Sequence, residues 1–276
     1  MNEENQDQTS EFQNVHQPNN TEWQAQPIPE QILKTDEQPQ MSEVGTLGGI
    51  FFEPGKTFED LRRKPRFLLA GLIIIVLVTV FNFLFTNKIG FEEITRARME
   101  SSERFQQLPA DQKQAQIEFA TTPVLKYITY AALPIGLIIS FLIGGLIYWL
   151  GANAMGGSAT FLRGVSVWIY SSFPPTVVSM LANILILFLK SPDDIDIASS
   201  QGGLVHANPA FFMDIKSSPV LAALVGTFDL FFIWGWILAA IGLRIVGKIS
   251  SGAAWAIVLI VALLNVAFRV VAALFS

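Results

Sequence analysis

Between residues 67 and 275 the chain sheds charge for twenty or more positions at a time, five times over. The stretches are 67–86, 127–150, 164–189, 219–243 and 253–275. The first three hold no Asp, Glu, Lys or Arg; the fourth holds only Asp229 and the fifth only Arg269. A helix rises about 1.5 Å per residue, so roughly 20 apolar residues cross a hydrocarbon core about 30 Å thick. Lipid offers no partner to backbone N–H and C=O groups, which runs of this kind satisfy as helices. The expected fold is therefore all-α, a polytopic membrane protein with five transmembrane helices. Composition agrees: the chain is 51% apolar and 15% charged, against about a quarter charged in soluble domains. The net charge of −5 argues against nucleic-acid binding. The absence of Cys removes disulfides and thiolate metal sites. His16 and His206 lie far apart in polar segments, so no metal site or cofactor is expected.

Upstream of the spans, residues 1–46 are rich in Gln, Asn, Glu and Pro and show no apolar period. They are expected to form a disordered tail. The start, MNEENQDQTS, has neither the basic region nor the apolar core of a cleavable signal. From residue 47 to 66 the character changes (LGGIFFEPGKTFEDLRRKPR), with Phe51, Phe52 and Phe58 followed by Arg62, Arg63, Lys64 and Arg66. Thr57 and Asp60 resemble a capping box that opens a short helix. The segment reads as an interfacial helix before the first span, with aromatics in the headgroup layer and bases on anionic lipid. Gly55-Lys56-Thr57 imitates the end of a phosphate-binding loop. The full pattern needs Gly where Ile50 stands and a preceding strand, so nucleotide binding is excluded.

The basic cluster hard against the first span places the N-terminus in the cytoplasm by the positive-inside bias. The outer segment 87–126 is expected to hold two short helices, around 91–107 and 110–120, broken at Pro109. The segment 190–218, with Pro192, Asp193, Asp194, Asp196 and Pro209, reads as solvated irregular loop. Pro174-Pro175 removes two backbone donors and predicts a kink in the third span.

Two constellations stand out inside the spans. Ala132, Gly136, Ser140 and Gly144 recur every fourth residue and predict a helix-packing ridge. Such a ridge serves packing within the bundle or association with further chains. Asp229, read as lying about 15 Å into the fourth span, and Arg269, about 9 Å into the fifth, enter from the same face. They form a candidate intramembrane polar pair, either structural glue or a proton or ion site. Asn82, Asn183 and Asn265 are expected to bond between helices. No nucleophile elbow, His-Glu-x-x-His motif or paired intramembrane Asp occurs, so no catalytic residues are assigned.

Three segments resemble the Yip1 domain family. GIFFEPGKTFEDLRRKPRFLLAGLI is similar to its Phe-x-x-Pro-x-x-Thr-Phe entry. GGSATFLRGVSVWIYSSFPPTVVSML resembles its Gly-rich turn followed by an aromatic-Ser-x-x-Pro run. FDLFFIWGWILAAIGLRIV resembles its fourth span. The resemblance covers residues 47–275, and the outer 109–120 segment is similar to bacterial members. It implies an integral membrane protein of the bacterial cytoplasmic membrane or, in a eukaryote, of the ER and Golgi, with a small GTPase as partner only in the eukaryotic case. The expected role is a membrane scaffold or adaptor acting through protein contacts and bilayer organisation. The alternative is a small transporter or ion-coupled channel built on Asp229 and Arg269.

Overall fold

The computed structural model describes residues 38–274 apart from 198, 199, 201, 202, 206, 210–220, 222, 223 and 227; at 103, 269 and 272–274 it describes the backbone alone. Residues 1–37 of the expected tail, and both histidines, lie outside the described residues. The chain order is α1 (Glu43–Phe52), α2 (Pro54–Arg63), α3 (Leu68–Ile89), α4 (Phe91–Glu100), a single turn Glu103–Gln106, and α5 (Ala110–Ala120). There follow α6 (Pro123–Ala154), α7 (Phe161–Leu189), α8 (Leu230–Gly247) and α9 (Ser251–Leu274). Five of these, α3 and α6 to α9, are long and apolar enough to cross a membrane, and no strand occurs among the described residues.

Local chemistry sets the boundaries. Pro54 and Pro123 open α2 and α6 at the first turn, where the missing N–H costs nothing. Gly90 leaves α3 at a φ of 104°, and Lys248 ends α8 in the left-handed region at a φ of 56°. Asn153 brackets the α6–α7 turn, accepting from the Ala159 amide at 3.0 Å and donating to the Ala159 carbonyl at 3.1 Å.

α7 lies at the centre, packed on α3, α6 and α8. It buries Val165, Val167, Ile169, Tyr170 and Phe173 against them, while Leu181, Leu185 and Phe188 remain exposed as an apolar outer face. α7 carries Pro174 and Pro175 within one continuous helical segment. Ser171, whose i+4 residue is Pro175, turns its carbonyl toward Gly235 of α8; a Cβ there would stand 3.6 Å from that oxygen. A neighbouring backbone thus closes over a carbonyl that the proline leaves without its helical donor.

A smaller cluster of Phe81, Phe85, Ile94, Leu187 and Ile195 closes the bundle at the C-terminal ends of α3 and α7. Ile195 belongs to the segment expected as solvated loop. It is buried in that cluster, and further on Asn183 holds the chain, its Oδ1 accepting from the amides of Leu204 and Val205, the latter at 2.9 Å. Asn183 therefore ties helix to loop rather than helix to helix. Asn82 donates to Val78 within its own helix at 2.9 Å.

Candidate functional site

The expected interfacial segment is a helical hairpin built into the bundle. α1 begins at Ser42, whose Oγ accepts from the Gly45 amide at 2.9 Å, so helix already occupies the last positions of the expected tail. α2 opens at Pro54, three residues before the predicted Thr57 cap; the Thr57 hydroxyl instead donates to the Glu53 carbonyl at 3.1 Å. Gly49 admits the close approach of the two helices, since a Cβ there would stand 2.7 Å from Thr57 Oγ1.

The hairpin docks on α7 and α8. Ile50, Phe58 and Leu61 are fully buried. Phe51 meets Phe173 and Trp234 edge-on, with ring centroids 6.0 and 6.1 Å apart. The hydroxyls of Thr46 and Tyr170 are 2.8 Å apart, and Arg163 Nε donates to the Arg62 carbonyl at 2.9 Å. From Arg163 to Phe173 these contacts climb about 15 Å along α7 at helical rise. The segment therefore enters the bundle and returns, which corrects the flat headgroup reading for Phe51 and Phe58. Their burial against protein displaces lipid because Gly242 of α8 leaves a hollow for the Phe58 ring. Phe52 and Lys64 remain exposed.

Arg66 was expected on anionic lipid. It instead pairs through Nη1 with Asp60 Oδ2 at 3.0 Å and donates to the Met41 carbonyl at 2.7 Å. Asp60 is 1% exposed, and its Oδ1 accepts from the amides of Gln40 and Met41. A buried carboxylate needs this set of donors, and together they clamp the residues before α1 to the α2–α3 junction.

Asp229 does not lie at mid-span. It is the N-cap of α8, with Oδ1 accepting from the Phe231 amide at 2.9 Å. Its Oδ2 accepts from the Ala207 amide at 3.1 Å and from Asn208 Nδ2 at 3.0 Å. The apolar run 219–243 concealed a helix start, because an Asp flanked by apolar residues reads equally as a buried charge or as a cap. The Arg269 side chain, and with it the expected Asp229–Arg269 pair, lies outside the described residues.

The ridge is split. Gly144 is buried against Trp168, but Ala132, Gly136 and Ser140 face outward. Positions four apart advance about 40° per step around a helix, so three steps rotate by about 120° and leave one face. The close approach of α6 and α7 uses Gly144, Gly145 and Gly164 instead; a Cβ on Gly145 would stand 2.7 Å from the Val165 backbone. The Gly-Gly pair was the signal for it.

Between α6, α7, α8 and α9 lies a cavity of about 310 Å³, walled by Trp168, Ser171, Ser172, Thr176, Ser179 and Asn265 among others. Three of its hydroxyl protons are engaged: Ser171 and Ser172 donate to the Trp168 carbonyl and Ser179 to that of Thr176. The wall offers hydroxyls, indole N–H groups and the Asn265 amide, without a charged group among its lining residues.

Residues 48–273 match the model of the Yip1 domain. A relative named "Membrane protein YknW", from Bacillus subtilis (strain 168), is 27% identical over 214 residues, covering 78% of this chain and 84% of its own length. No solved structure matches. The matched region takes in the docked hairpin from Gly48 onward and the five membrane helices, and the chain accordingly belongs to the Yip1 domain family of membrane proteins.

Proposed function

We propose that this is a non-enzymatic scaffold or adaptor of the bacterial cytoplasmic membrane, with its N-terminus in the cytoplasm, acting through contacts with other proteins in or at the bilayer. The observation that carries the reading is the state of Asp229. A carboxylate receiving three N–H donors as a helix cap has an architectural role that accounts for its place without a proton or ion site. The Bacillus relative supports the bacterial setting, and the basic residues at the hairpin's open end support the orientation. The small GTPase partner belongs only to a eukaryotic setting. Homo- or hetero-oligomers would form through exposed apolar faces such as Ile135, Ile139, Leu142 and Leu146 of α6.

The test compares wild type with Asp229→Asn and Asp229→Ala, both for stability in detergent and for flux in proteoliposomes. Asp229→Ala is expected to lose about 0.5–2 kcal/mol, as a lost cap does, and Asp229→Asn less. Neither should alter proton or solute flux. An Asp229→Asn protein that stays folded yet changes a flux supported by wild type would replace the scaffold with a transporter.

A further inference from the structure

Ala132, Gly136 and Ser140 are exposed on α6, and a Cβ at Gly136 would meet nothing within 4 Å. Toward the Pro123 end of that helix, a cleft of about 680 Å³ opens between α3, α4, α5 and α6. Its apolar walls include Phe91, Ile94, Met99, Leu125 and Leu133, and Ala132 also lines it. A cavity of about 140 Å³ adjoins it, with Asn82, Ile94 and Arg98 lining both.

The charge here is one-sided. Phe91, Ile94, Thr95, Arg98 and Met99 follow helical spacing and share the cleft-facing side of α4. Glu92 is turned elsewhere and pairs with Arg96 at 3.1 Å. The Arg98 carbonyl accepts from Ser101 Oγ at 2.8 Å, while the Arg98 guanidinium makes no hydrogen bond or ion pair with a described residue. Lys126 Nζ stands 5.9 Å from the Phe91 ring centroid. No acid lines either cavity among the described residues. Ala132 is nine residues from Pro123, or about 13 Å along α6, close to the thickness of one leaflet's hydrocarbon.

We propose that this cleft binds one anionic phospholipid from the leaflet on the α4 side. Its phosphate sits on Arg98, with Lys126 adding positive charge from beside the Phe91 wall, and an acyl chain runs over Ala132 and Gly136. A planar guanidinium suits phosphate through paired N–H bonds. The apolar walls and the small outward residues beneath suit a chain and exclude a free anion as the preferred occupant. This site stands apart from Asp229 and does not depend on the scaffold reading.

The experiment is native mass spectrometry of the full chain in detergent, with dioleoyl phosphatidylglycerol or dioleoyl phosphatidylcholine added, and inorganic phosphate as competitor. Wild type should retain one phosphatidylglycerol, with about a tenfold preference over phosphatidylcholine and no displacement by phosphate. Arg98→Gln should lose that preference, Arg98→Lys should keep most of it, and Gly136→Trp should lower retention of both lipids. Equal retention of the two lipids by wild type, or an unchanged preference in Arg98→Gln, would overturn the site. Displacement by inorganic phosphate would overturn the lipid as its source. Gly136→Trp that leaves lipid bound but breaks an oligomer of this chain would make the face a helix interface instead. Should Arg98→Gln fail to fold, the wild-type, Arg98→Lys and Gly136→Trp arms decide.

Discussion

Phe58 fills the space that a side chain at Gly242 would need: a Cβ there would stand 2.8 Å from Phe58 Cε1 and 2.8 Å from Val167 Cγ1. One glycine in α8 is thus the seat of the N-terminal hairpin. Gly242→Ala is expected to cost about 1–3 kcal/mol by overpacking, and Phe58→Ala about 3–5 kcal/mol by leaving the seat empty. Thermal melts in detergent check both values. Cysteines placed at Thr46 or Ile50 should become reactive to maleimide in either variant; hairpins that stay shielded would show that the seat is not decisive.

Asp60 and Arg66 form a buried pair, with side chains 1% and 11% exposed. Breaking such a pair from one side strands the other charge, typically at about 3–5 kcal/mol. Asp60→Asn and Arg66→Met are each expected to destabilise the protein, and the double variant to recover a large part of the sum. A double-mutant cycle on melting temperatures measures this coupling. Additive losses would mean that the two groups act separately.

Gly203 adopts a φ of 120°, and a Cβ there would come within 3.0 Å of Asn183 Oδ1. Asn183→Leu leaves two loop amides without their acceptor, at about 1–3 kcal/mol, and Gly203→Ala strains the same turn. Hydrogen exchange at Leu204 and Val205 should accelerate in both variants while α7 stays protected. Uniform acceleration throughout the bundle would instead place Asn183 in the global core.

The five spans were legible because bilayer thickness imposes a length that few soluble segments imitate. The pairing of elements was not. Burial of Phe58 depends on Gly242, far along the chain, and no local pattern connects the two. Asp229 misled because residues 219–228 are as apolar as the helix that follows, so hydropathy runs through a boundary that only capping chemistry marks. The small-residue row serves packing within the bundle only in part, for a geometric reason: spacing by four follows a wrapping row, and only Gly144 of its members reaches α7. Asn183 was legible as a buried polar group but not as a loop anchor, since its partners are backbone amides, which every residue but proline carries.

The hairpin's seat also dictates an order of events during synthesis. Phe58 leaves the ribosome some 180 residues before Gly242 does. At roughly 5–20 residues per second, that is a wait of about 10–40 s. Through the latter part of it α7 can offer Tyr170 and Phe173 to the hairpin, but the face that Phe58 presents to α8 has no partner yet. Arrival of the fourth span ends the wait, so a nascent chain halted before α8 would display its entry hairpin to the quality-control machinery as a mark of incompleteness.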